Sequence, residues 1–208
     1  MPIFKQPLRG LSRLSDRVGG GLGEGPRIKS YGTVNSSSIA VPAMVAGDIC
    51  LAFAGRNSAT PPGDMSSSGF SDINTAILSG AANRSIRASY RQSPSAGFTL
   101  TSANASHITY VILEEAGGIG ATTTVSSQTV STSLPIGAMP TSEVGSRIFV
   151  GVQGSLLGNG QVSGDEIMVD FNGLVAVTVN PIAAPFNGVT LTQPNSPQLA
   201  IAVEVLAA

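Results

Sequence analysis

The chain has one cysteine, one histidine and no tryptophan in 208 residues. Cys50 has no second cysteine to pair with, which excludes a disulfide within the chain. Its place in the apolar run from Ile49 to Ala54 predicts a buried, inert thiol. Aromatic residues make up only 5% of the sequence, so Val, Ile and Leu must carry the core, and the β-branched ones favour strands. Charged residues are sparse too, at 11%. The resulting surface is neutral and rich in hydroxyls, more like that of an assembly subunit than of a freely soluble enzyme. No apolar run approaches the roughly 20 residues of a membrane-spanning helix. The first residues lack the apolar core and cleavage site of a secretory leader, so synthesis in the cytoplasm is expected.

The few charges are unevenly placed. Up to Lys29 there are six cations (Lys5, Arg9, Arg13, Arg17, Arg27, Lys29) against Asp16 and Glu24, a net +4; the remainder holds five arginines against ten acids, a net −5. A basic arm therefore precedes an acidic body. Within the arm, residues 7–18 read as a short amphipathic helix opened by Pro7. Leu8, Leu11, Leu14 and Val18 recur at steps of three and four and form an apolar stripe. Arg9, Arg13 and Arg17 form a neighbouring basic one. So short a helix is marginal alone and needs a docking surface. The Gly-rich run from Gly19 to Gly25 reads as a tether. A frayed terminus, an anchor on a protein partner, and a nucleic-acid or membrane contact are the three meanings open to this arm. Four net charges are few for binding driven by counterion release.

The body repeats itself. Gly97-Phe98-Thr99-Leu100-Thr101, followed by Asn104, reappears as Gly188-Val189-Thr190-Leu191-Thr192, followed by Asn195. The next strands match at an offset of 91, with Ile108, Tyr110 and Ile112 against Leu199, Ile201 and Val203. Upstream, the run from Ile49 to Gly55 is echoed at an offset of 99 by that from Ile148 to Gly154. Strands are expected at 29–41, 48–54, 84–92, 97–102, 107–115, 121–131, 146–153, 166–171, 173–179, 188–192 and 198–206. Asn172-Gly173 is a strong hairpin signal. Runs apolar on both faces, such as 49–54, belong mid-sheet or at an interface. Gly/Ser/Pro-rich stretches at 55–83 and 154–165 read as surface loops.

Residues able to do chemistry are few. A Ser-His-Asp arrangement would have to use His107, whose counterpart in the repeat is Gln198; that pairing reads as a polar strand start. Asp165, Glu166, Asp170 and Asn172 form the densest acidic group, with a spacing unlike an EF-hand loop. Alternation would put Glu166 and Asp170 on one face, and a solvated face is the default reading. Glu114-Glu115 reads as a strand end leaving for solvent. Arg87 and Arg91 share a strand face, with Arg84 opposite or before the strand begins, and no phosphate-binding Gly loop accompanies them. A salt-bridge role is expected for these arginines. Sugar stacking would fall to Tyr31, Tyr90 and Tyr110, the last in phase with the core. No cofactor or metal is expected.

The order Ala46-Gly47-Asp48-Ile49-Cys50-Leu51-Ala52-Phe53-Ala54, a long Pro/Gly loop, Ala88-Ser89-Tyr90-Arg91, Gly97-Phe98-Thr99-Leu100-Thr101 and Ile108-Thr109-Tyr110-Val111-Ile112 resembles certain tailed-bacteriophage structural proteins. These are β-sandwich proteins of tail, fibre or capsid-decorating type. The resemblance spans most of residues 33–206 and departs at Gly69-Phe70, where the family often has Gly-Trp. It implies a virion protein with no catalytic residues. The expectation is an all-β, jelly-roll-like sandwich (30–208) with pseudo-repeated halves at about 30–118 and 119–208, preceded by an anchoring arm (1–29) with a short helix. It would be a non-enzymatic virion subunit, decorating the capsid or forming part of the neck or tail. Its partners would be other virion proteins and copies of itself, a trimer among the options, with no nucleic acid and no membrane. Leu8, Arg9, Leu11, Arg13, Leu14, Arg17 and Val18 would dock it. The alternative is a receptor- or glycan-binding module of a tail fibre, with recognition in loops 55–83 and 154–165.

Overall fold

The structure, a computed structural model, describes residues 25–153, 166–171, 174–179 and 185–208. The expected helix at 7–18 and the loop 154–165 lie outside these residues. The described chain is almost entirely β. Its strands are β1 (Arg27–Val34), β2 (Ser38–Val41), β3 (Ile49–Arg56), β4 (Ser71–Leu78), β5 (Arg84–Arg91), β6 (Phe98–Thr101), β7 (His107–Glu114), β8 (Ala116–Ile136), β9 (Arg147–Gln153), β10 (Glu166–Phe171), β11 (Leu174–Val179) and β12 (Val189–Ala207). The stretch expected at 29–41 is broken at 35–37 into β1 and β2. The stretch 55–83 is not a plain loop. It contains β4 and a 3-10 turn at Ser66–Ser68, and it buries Met65 and Phe70.

Each half of the chain builds one antiparallel sheet. The first has the order β1-β7-β3-β5-β4; the second, read from its other edge, is β8-β12-β9-β11-β10. Counted along each half, both orders place the first strand beside the last, then the second, fourth and third. A jelly roll would interleave the halves between its two sheets, and that is not the order here. β2 and β6 pair as a small separate ribbon. In the second half the same ribbon is continuous with the sheet, where Ser133–Ile136 at the end of β8 pairs with Val189–Thr192 at the start of β12.

The duplication extends to the irregularities. β1 carries one extra residue between Ile28 and Ser30, and β8 carries one opposite the step from Val203 to Val205. β4 shifts register between Asp72 and Asn74, and β10 between Ile167 and Val169. Isolated bridges Met44–Ser95 and Met139–Phe186 sit beside the two ribbons. Left-handed glycines recur too: Gly47 (φ 90°) matches Gly145 (φ 84°) before the second strand of each half, and Gly97 (φ 103°) matches Gly188 (φ 93°) before the ribbon. Only glycine holds such a conformation cheaply.

The faces correct the alignment read from the sequence. The ladder pairs Ile49 with Leu113 and Ile148 with Glu204, as offsets of 99 and 91 require. Offsets of 98 and 92 satisfy it equally, because an antiparallel ladder fixes only their sum. Burial decides between them. Ile108, Tyr110 and Ile112 pack with Cys50, Ala52 and Leu100 under the ribbon. Leu199, Ile201 and Val203 pack instead with Leu51, Phe53 and Val111 between the sheets. The counterparts of Ile108, Tyr110 and Ile112 are therefore Ala200, Ala202 and Glu204. A one-residue slip moves every side chain to the opposite face. The second half absorbs the extra residue where β12 shifts register around Ser196. His107 starts β7 while Gln198 lies within β12, and the two are on opposite faces, so they are not equivalents.

The body is four layers deep: ribbon, sheet, sheet, ribbon. The central layer joins Leu51, Phe53, Ile86 and Val111 to Phe149, Ile201 and Val203. The outer face of the second sheet carries Ile148, Val150 and Ala202 beneath Leu134, Met139 and Leu191. Both faces of β3, β7, β9 and β12 are thus buried, which is why these strands read as unbroken apolar runs. β3 and β9 face each other in the same direction, each residue opposite the one 98 positions later. A β-carbon on Gly151 would lie 2.7 Å from Phe53 Cγ, and one on Gly55 would lie 2.8 Å from Gln153 Cδ. A pseudo-twofold axis runs between these strands. At two levels the chain sets a large side chain against a glycine, Phe53 against Gly151 and Gln153 against Gly55.

Candidate functional site

The docking residues expected in the arm (Leu8, Arg9, Leu11, Arg13, Leu14, Arg17 and Val18) lie outside the described residues. The polar groups of the body can be followed one by one.

His107 opens β7 opposite Gly55, and it is buried. Burial lowers the pKa of the ring below 6.5, and Nδ1 has no hydrogen-bond partner among the described residues. The Gln153 carboxamide lies over Gly55, donating from Nε2 to Asn57 Oδ1 at 3.1 Å. An imidazole and an amide therefore close one end of the intersheet layer.

One face of β5 ties down the connection between β3 and β4. Ser85 Oγ donates to Thr60 O at 3.0 Å, Arg87 Nε to Pro62 O at 3.1 Å, and Arg91 Nη1 to Ser68 O at 2.7 Å. Arg87 also pairs with Asp72, which accepts from Ser89 Oγ at 2.8 Å. Arg91 stacks 4.4 Å from the Phe98 ring centre. Arg87 and Arg91 share a face, as alternation predicts. The salt-bridge role holds for Arg87, while Arg91 works through a carbonyl and a cation–π contact. Arg84, on the other face, reaches the Gln153 carbonyl at 3.5 Å.

Two buried carboxylates escaped the sequence reading. Asp48 accepts the Val45 N–H at 2.9 Å and the Lys29 ammonium at 2.8 Å. This fixes the turn that leads into β3. At the equivalent turn before β9, the counterpart of Asp48 is Ser146. The carboxylate comes instead from Glu204 on the neighbouring strand, which accepts from Glu143 N at 2.6 Å and Ala121 N at 2.7 Å. Both acids are about 1% exposed. Each half thus sets one side-chain carboxyl over its turn, supplied from a different place in the chain. Nothing in the spacing of Asp48 and Glu204 announces that shared role.

Glu166 pairs with Thr178 and Asp170 with Val175, on either side of a register shift. Three partner positions separate them. Asp165 and Asn172 lie outside the described residues. Among the described residues no group of three or more metal-ligating side chains comes together. Glu114 and Glu115 do leave for solvent, and both pair with Arg27. Cys50 is buried and free, with its thiol pKa pushed far up by burial. Tyr110 is buried, its ring seated over Gly32, while Tyr31 is 40% exposed on the edge strand β1. No helix among the described residues is long and apolar enough to cross a membrane.

Comparison with known proteins adds no relative: no family model, no curated protein and no solved structure matches this chain.

Proposed function

We propose that the chain is a non-enzymatic structural subunit of a tailed-phage virion, decorating the capsid or forming part of the neck or tail, and docked through residues 1–29. The observation that carries this reading is how the body uses its own side chains. Both faces of the central strands β3, β7, β9 and β12 are covered from within, and Asp48, Glu204, Arg87 and Arg91 hold turns and connections in place. A duplicated sandwich closed on itself in this way suits a scaffold, and the apolar and basic stripes of residues 7–18 suit its attachment. Burying Leu8, Leu11, Leu14 and Val18 would contribute about 1.5–3 kcal/mol each. Arg9, Arg13 and Arg17 would steer and set register, since exposed ion pairs give only about 0–1 kcal/mol.

Purified full-length protein and a version lacking residues 1–25, each mixed with undecorated particles and imaged by cryo-electron microscopy, test this. Regular density from the full-length protein alone is the expected result. Equal binding by both would move the interface to the sandwich. Binding by neither would overturn the virion reading in favour of a receptor- or glycan-binding module, to be followed by glycan screening.

A further inference from the structure

The turns that lead into the two facing strands both expose a valine. Val45, before β3, is 57% exposed, and Val144, before β9, is 49% exposed. Each residue of β3 lies opposite the one 98 positions later, which brings Ala46, also exposed, level with Val144. The two tips form one apolar cap across the end of the pseudo-twofold axis. The other large apolar side chains exposed among the described residues, Tyr31, Ile77 and Val130, stand on three separate strands.

The chain enters the body at this same end. Gly25 and Pro26 are buried, Arg147 Nη1 donates to the Pro26 carbonyl at 3.1 Å, and Lys29 reaches Asp48 at 2.8 Å. Arg147 opens β9 and Asp48 closes the turn before β3, so residues 1–24 depart beside both tips. Carboxyl groups outnumber cations there: Asp48, Glu114, Glu115, Glu143 and Glu204 against Arg27, Lys29 and Arg147, with Glu115 and Glu143 exposed. Residues 1–24 have the opposite balance, with Lys5, Arg9, Arg13 and Arg17 against Asp16 and Glu24.

We infer that residues 7–18 fold back on their own body and cover this cap. Leu8, Leu11, Leu14 and Val18 lie over Val45, Ala46 and Val144, and Arg9, Arg13 and Arg17 turn toward Glu115 and Glu143. The reach is sufficient. A flexible tether from Gly19 to Gly25 spans about 15 Å, and a helix over 7–18 is about 18 Å long, longer than the roughly 10 Å between stacked sheets. So short a tether keeps the segment at an effective concentration on the order of millimolar, which favours its own body over a second copy. The body then supplies the surface that a helix this short needs, and any partner that takes the arm has to compete with it. The inference stands whether or not the chain belongs to a virion.

A nitroxide on Ser12→Cys tests this in the full-length protein, since buried Cys50 takes no label in the folded chain. The label is expected to broaden the Val45 and Val144 methyls and to spare Ile77, which lies level with the far end of β3. With the nitroxide and the isotope label on separate molecules, the broadening should vanish. Cutting at Arg9, Arg13 and Arg17 by an arginine-specific protease follows the population of undocked arm. Val45→Lys/Val144→Lys, with unchanged circular dichroism, should speed that cutting roughly tenfold, and Ile77→Lys should leave it as in the native chain. Broadening absent from this end, broadening passed to a second molecule, or cutting indifferent to the two lysines would overturn the inference.

Discussion

Replacing Phe53 by Ala and Gly151 by Ala, singly and together, probes the pseudo-twofold axis. Phe53 is fully buried, and its ring occupies the space that a β-carbon at position 151 would need. Phe53→Ala leaves a cavity in the intersheet layer and should cost about 3–5 kcal/mol. Gly151→Ala in the native background forces the ring aside and should cost about 1–3 kcal/mol, as overpacked cores do. In the Phe53→Ala background the clash is gone. The added methyl then partly fills the hole, and replacing a strand glycine returns about 0.5–1 kcal/mol of backbone entropy. Gly151→Ala should therefore change sign there, becoming neutral or stabilising. The expected coupling between the two sites is about 2 kcal/mol, within the range for residues in contact. Urea unfolding at constant m reads all four corners of the cycle. If Gly151→Ala costs the same with and without the Phe53 ring, the two strands do not face each other as described.

Glu204→Gln should cost about 2–4 kcal/mol, because one oxygen must serve two buried N–H donors, whereas the exposed Glu114→Gln should stay within about 0.5 kcal/mol; thermal unfolding compares them. Cys50 should resist a thiol-specific disulfide reagent at about pH 8 in the folded protein and react fully once unfolded, since its burial disfavours the thiolate; absorbance of the released thiol follows this. His107 has a folded pKa below its unfolded value of 6.5, so the unfolded chain binds the proton more readily. Stability should then fall as pH drops through about 6.5, and His107→Gln should flatten that slope in denaturant titrations at several pH values.

The sequence disclosed the repeat, the class and most strands, because buried β strands flanked by glycine turns leave a local record. It hid three things for physical reasons. β4 reads Ser-Asp-Ile-Asn-Thr-Ala-Ile-Leu and buries only Ala76 and Leu78; set among Gly, Ser and Pro, so weak an alternation looks like loop. The phase of the second half was hidden because β7 and β12 are apolar on both faces. A pattern with no polar side cannot report which side faces the partner sheet. The turn-holding carboxylates were hidden likewise: Asp48 sits in the turn it holds, whereas Glu204 reaches its turn from the far end of the chain. Register, unlike composition, is a property of two strands at once.

The duplicated architecture is tested most directly by nuclear Overhauser contacts in protein with labelled Ile, Leu, Val and Phe side chains. The two-sheet arrangement predicts that Ile201 and Val203 share contacts with Leu51, Phe53 and Val111, and that the Phe53 ring touches the α-protons of Gly151. Contacts from Ile201 to Leu134 and Leu191 instead would restore the offset of 91. They would turn the second sheet over and contradict the account.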